Sequence, residues 1–173
     1  MIPQLNLGRG RGVARTAAVA LFLVAASFTM SERPSFAAEG PFAGLAGSWS
    51  GNGTVSLPDG GRERIRCRAT YSVGGGGTSL RQSLRCASDS YHFELQSDVS
   101  ASGNSISGSW SETTRNLSGR VSGQTRGNQI NALVEANGFS ATIVIVTNGG
   151  RQSVSIRSLS HELAGASISL NRS

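Results

Sequence analysis

The sequence predicts an all-β domain, a single antiparallel up-and-down β-barrel of about eight to ten strands with one intramolecular disulfide. Three observations carry that prediction. Beyond Phe42, apolar residues alternate with small polar ones, and no stretch sustains the three-and-four spacing of an amphipathic helix. The alternating runs recur about every ten residues between clusters of Gly, Asn, Asp and Pro, the spacing of a sandwich or barrel. Cys67 and Cys86 sit on neighbouring runs without metal-ligand spacing.

Taken in order, the strands are expected near Gly47–Leu57, Glu63–Val73, Ser79–Ala87, Tyr91–Val99 and Ser105–Thr113, then near Leu117–Thr125, Gln129–Ala136, Phe139–Thr147, Gln152–Ser158 and Ala166–Asn171. Pro58-Asp59-Gly60-Gly61, Gly74 to Gly77, Gly103-Asn104, Gly127-Asn128, Asn137-Gly138 and Asn148-Gly149-Gly150 supply residues that tolerate the backbone of tight turns. Loops this short join antiparallel neighbours, so the chain meanders. Period-two alternation gives each strand one apolar face: Ile65, Cys67, Ala69, Tyr71 and Val73 on one, Phe93, Leu95 and Val99 with Tyr91 on another, and Phe139, Ala141, Ile143 and Ile145 on a third. A meander of this kind buries all those faces by closing on itself, which also removes exposed edges.

The cysteines test the register. A loop over 75–78 sets Val73 opposite Leu80 and Cys67 opposite Cys86, both cysteines on the apolar face. A bridge between directly opposed residues of adjacent strands is feasible. It closes a loop of about twenty residues, which stabilises the fold by about 3 kcal/mol in the chain-entropy picture.

The N-terminus has a different character. Arg9, Arg11 and Arg15 precede an apolar run from Ala17 to Phe28, and Ser35-Phe36-Ala37 places small residues where a signal peptidase reads them. Residues 1–37 are therefore expected to be a signal peptide, 38–46 a linker, and 47–173 the barrel. The apolar run is too short to span a bilayer. The expected location is the periplasm or the exterior of a Gram-negative cell, where a single disulfide is stable. All 16 basic residues are Arg, which fits a genome rich in G and C.

Beyond Ala37 twelve arginines face nine carboxylates, a net charge near +3 that does not support nucleic-acid binding. No Gly-x-Ser-x-Gly elbow is present, His92 and His161 are the only candidate bases, and the acidic residues are too scattered for a glycosidase pair or a calcium cage. No catalytic residue, cofactor or metal site is expected.

Gly47-Ser48-Trp49 resembles the Gly-x-Trp signature that opens the first strand of lipocalins and related calycin barrels. The resemblance implies that Trp49 packs across the closed end of the barrel against an Arg from a late strand, and Arg172, just past Ile168-Ser169-Leu170, is the matching residue. The C-terminal helix usual in lipocalins has no counterpart. From about Gly44 onward the chain also resembles small secreted proteins of unknown function from α-proteobacteria, which implies compartment and fold but no activity.

Two features bear on function. Phe93, Trp110, Phe139 and Ile143 share the inward face and could line a cavity for a small apolar ligand, while Gly108, Gly119, Gly123, Ala132 and Ala141 either fit the taper of a narrow barrel or leave space. On the outward face, Arg64, Arg66 and Arg68 alternate along one strand, with Arg81 and Arg85 on its partner. Arg68 should face Arg85, and Arg64 should face Asp89. Like charges opposed in a ladder are mildly destabilising and call for an offset. Either His92, Glu94 and Asp98 on the next strand provide it, or the arginines bind an anionic partner. The favoured reading is a non-catalytic exported barrel that binds a small hydrophobic or amphipathic ligand. The alternative is an envelope interaction or inhibitor module that docks an anionic component through its arginines.

Overall fold

A computed structural model describes residues 39–90, 92–159 and 164–173. The expected signal peptide, Tyr91, and the His161-Glu162 pair lie outside the described residues. Ten strands follow one another: β1 (Gly47–Ser56), β2 (Arg62–Gly74), β3 (Ser79–Ala87), β4 (His92–Ser102), β5 (Ser105–Glu112), β6 (Leu117–Arg126), β7 (Gln129–Ala136), β8 (Phe139–Asn148), β9 (Arg151–Ser158) and β10 (Gly165–Arg172). Each pairs antiparallel with its successor, and β10 pairs antiparallel with β1, so the sheet closes into a barrel without a free edge.

The connections follow the turn chemistry. At Gly103 and Gly127 the backbone takes φ of 57° and 58°, a conformation that side chains disfavour. Strand β4 continues three residues past Val99, because Ala101 and Ser102 still pair with Ile106 and Ser105 across a two-residue turn. A single alanine is a faint apolar signal, which is why alternation alone ends the strand early. Cys67 stands opposite Cys86 in the β2–β3 ladder and the two are bonded. Arg68 faces Arg85. The ladder stops at Arg66 and Ala87, however, so Arg64 has no cross-strand partner in β3 and the expected Arg64–Asp89 pairing is absent.

The inward glycines serve curvature rather than open space. A Cβ at Gly108 would lie 2.0 Å from the Asp98 carbonyl oxygen, one at Gly119 1.8 Å from that of Glu135, and one at Gly123 2.1 Å from that of Asn131. Each marks a place where a strand bends hard against its neighbour, as a closed barrel requires.

The expected linker is not a linker. Its described residues, 39–46, fold over one end of the barrel through a 3-10 turn at Ala43–Leu45, with Phe42 and Leu45 fully buried in the core. The Gly40 amide donates to the Gly76 carbonyl at 2.7 Å and the Phe42 amide to the Gly77 carbonyl at 2.9 Å. Gly77 and Gly40 approach so closely that a Cβ on Gly40 would sit 2.4 Å from the Gly77 carbonyl carbon. The glycine run thus turns a hairpin and also receives this segment. A short stretch with two large apolar residues has no period to read, so alternation could not reveal the role.

Candidate functional site

The two ends of the barrel differ. At the end sealed by 39–46, the Trp49 indole donates to the Leu45 carbonyl at 2.8 Å and packs edge-on against Tyr71. Arg172, directly opposite Trp49 in the β1–β10 ladder, lays its guanidinium 4.5 Å from the indole centroid and donates to the carbonyls of Ala46 and Gly44. Burial holds the Tyr71 phenol protonated well above its ordinary range, only partly opposed by the 2.8 Å hydrogen bond it donates to Gln152. Gln152 in turn donates to Thr147. The polar groups at this end are satisfied internally, so it is a stopper.

Toward the other end the inward side chains change from buried to half-buried, among them Leu57, Phe93, Leu95, Leu117, Phe139 and Ile156. Between the two lies a cavity of about 210 Å³ walled mainly by aliphatic and aromatic side chains. Phe93, Trp110, Phe139 and Ile143 all line it, with Ala132 and Ala141 on the same wall. Trp110 meets Phe139 edge-on at 5.8 Å between centroids, and its Nε1 lies over Gly119 with no hydrogen-bond partner. The indole uses the space that the missing side chain of Gly119 leaves.

Two polar features interrupt the apolar wall. Ser97 donates to Gln82 across β3 and β4 at 3.3 Å. Near the half-buried end, Glu112 turns its carboxylate inward, only 2% exposed. It accepts from the backbone amides of Glu94, Thr114 and Arg115 at 3.1, 3.0 and 2.8 Å and from the Thr114 hydroxyl, with the Arg115 guanidinium 3.7 Å away. Burial pushes this carboxyl up, but those hydrogen bonds outweigh it and hold it below the usual carboxylate range. Sequence reasoning missed both Glu112 and Arg115 as cavity residues. The signal was present for Glu112, which stands two residues past Trp110 and so shares its inward face. Arg115 lies in the turn after β5, where no period operates.

The outward arginines divide into two groups. Arg81 pairs with Asp98 at 2.9 Å and Arg85 with Glu94 at 3.3 Å, all four side chains being exposed. Arg64, Arg66 and Arg68 point outward, and no ion pair forms to them among the described residues. The two groups adjoin, since Arg68 stands directly opposite Arg85, but they differ in whether a carboxylate pairs with them. Among the described residues no cluster of three or more His, Cys, Asp or Glu could hold a metal ion, and no helix is long and apolar enough to cross a membrane.

No protein-family model and no curated protein matches the chain. Solved structures do. Rv2717c from M. tuberculosis superposes with a TM-score of 0.62 at 12% identity, covering 76% of this chain and 94% of that one. The S-type phycobiliprotein lyase CPES from Guillardia theta superposes with a TM-score of 0.52 at 10% identity, covering 76% of this chain and 90% of that one. At such identities the likeness is one of fold, and that fold is a closed β-barrel consistent with the calycin-like architecture.

Proposed function

We propose that the chain is a non-catalytic binding barrel that holds a small hydrophobic or amphipathic ligand in its interior, in an extracytoplasmic compartment. The observation that carries this reading is the apolar cavity of about 210 Å³, stoppered at one end and bordered at the other by half-buried Phe93, Leu117 and Phe139. A dry apolar cavity of about 150 Å³ accommodates benzene, so this one suits a ligand of about ten to twelve non-hydrogen atoms. The fold shared with a lyase whose name refers to a phycobiliprotein is compatible with a small-ligand site. Glu112 speaks against acid–base chemistry here: a carboxylate saturated by hydrogen bonds and lowered in pKa is a poor proton acceptor at neutral pH. The Cys67–Cys86 bond supports an oxidising location, and the periplasm of a Gram-negative bacterium fits the N-terminal pattern.

Native mass spectrometry of the protein isolated from its own cells tests this reading. A ligand-bound species heavier by the mass of one small apolar molecule is expected, and it should vanish in Ala132→Phe, which fills the cavity from β7. A bare protein mass in gentle ionisation, identical for both forms, would count against a carrier.

A further inference from the structure

We propose that the outer wall formed by β9, β10, β1 and β2 is a track for a linear anionic polysaccharide. This inference is independent of the interior cavity. Alternation puts Arg62, Arg64, Arg66 and Arg68 on the outside of β2 and Arg151 and Arg157 on the outside of β9, and all six are exposed. The ladders set these rows in register. Arg68 lies across Ser50 and Asn171 from Arg151, and Arg62 lies across Ser56 and Gly165 from Arg157. The arginines thus mark the corners and one long side of a rectangle about 14 Å wide and about 20 Å long, from the spacing of neighbouring strands and the rise per residue.

The floor between them is made of small hydroxyl and amide side chains. The central row runs from Arg66 through Asn52 and Ser169 to Ser153. Glu63 is the only acidic residue in these four strands. Its carboxylate is taken up by the Ser88 and Ser90 hydroxyls at 2.6 and 2.5 Å. No ion pair reaches any of the six arginines among the described residues, whereas Arg81 and Arg85 on β3 have Asp98 and Glu94. Cationic charge is therefore neutralised on one side of β2 and left available on the other.

The chemistry selects the partner. Guanidinium groups recognise carboxylate, phosphate and sulfate through paired N–H donors. Hydroxyl and amide side chains match the hydroxyls of sugar rings. The floor offers no exposed aromatic or large aliphatic side chain, so it lacks the anchors of a protein interface and the apolar groups that enter a lipid boundary. A convex barrel wall meets a flat membrane only along a strip, whereas an extended chain can lie along the strands.

The test uses the full exported protein and two double variants of equal charge change: Arg64→Ser/Arg66→Ser on the track, and Arg120→Ser/Arg126→Ser on the exposed outer face of β6. Binding is measured at low salt to heparin, polygalacturonate and neutral dextran, and to phosphatidylglycerol vesicles. The proposal expects heparin and polygalacturonate to bind and dextran not to. It also expects at least tenfold weaker polysaccharide binding for the track variant and less than twofold change for the β6 variant. Three results would overturn it: no binding by the wild type, equal losses in both variants, or retention by vesicles but not by the acidic polysaccharides. Circular dichroism and thermal unfolding of both variants verify that these exposed substitutions leave the barrel folded.

Discussion

Glu112 shows how much a single inward polar residue can be asked to bear. Its carboxylate satisfies three backbone amides around the end of β5, so replacing it with an amide withdraws a buried charged acceptor from part-buried donors. Glu112→Gln is expected to cost about 1–3 kcal/mol at pH 7. The pH dependence has a definite sign. The folded-state pKa lies below the ordinary range of a glutamate carboxyl, so the stabilisation is complete above that range and is lost as pH falls through the folded-state pKa. Thermal midpoints measured from pH 7 to pH 2 should therefore converge for wild type and variant at the acid end; a gap that widens on acidification would contradict the assignment. At this scale the sequence was legible wherever alternation operates. Phe93, Trp110, Phe139 and Ile143 come together on one cavity. Arg115 and Phe42 could not be found that way, because each sits in a turn where contact is decided by the path of the chain.

Each strand carries its own instruction in alternation and in the residues that end it, and that is why ten strands and their turns could be placed from sequence. The Cys67–Cys86 register was legible for the same reason: two constraints, the hairpin loop and the apolar face, allow one pairing. What alternation does not encode is bending. Gly119→Ala places a methyl against the Glu135 carbonyl, and denaturant unfolding should show a loss of about 1–3 kcal/mol. Gly44→Ala, with nothing within 4 Å of its added carbon, should be neutral or slightly stabilising. Equal effects at the two positions would show that Gly119 is not required for strand curvature. The segment 39–46 makes a second contrast. As a linker residue Phe42 would tolerate truncation, but fully buried at the stoppered end its replacement by Ala should cost about 3–5 kcal/mol in the same unfolding measurement. A loss below about 0.5 kcal/mol would restore the linker reading.

For the molecule as a whole, closure of the sheet is the property on which an enclosed interior depends. Antiparallel pairing of β10 with β1 is a contact between the two ends of the domain; the one apolar face of every strand called for closure, and the Gly-x-Trp resemblance with its late Arg named the residues that meet there. The interior volume was not legible at all. It depends on strand number, tilt and stagger together, which no local pattern specifies. Charge is likewise arranged at this scale: β2 and β9 sit apart in sequence, and only the closed ladder brings their arginines to opposite borders of one wall. Calorimetric titration with naphthalene probes the interior directly. The wild type should bind one molecule per chain with a Kd on the order of 10 µM, about 0.7 kcal/mol per ligand atom. Ala132→Phe should weaken that binding at least tenfold while its thermal midpoint stays at or above the wild-type value. Absence of saturable binding in the wild type, or equal affinity in the two proteins, would contradict a ligand-binding interior.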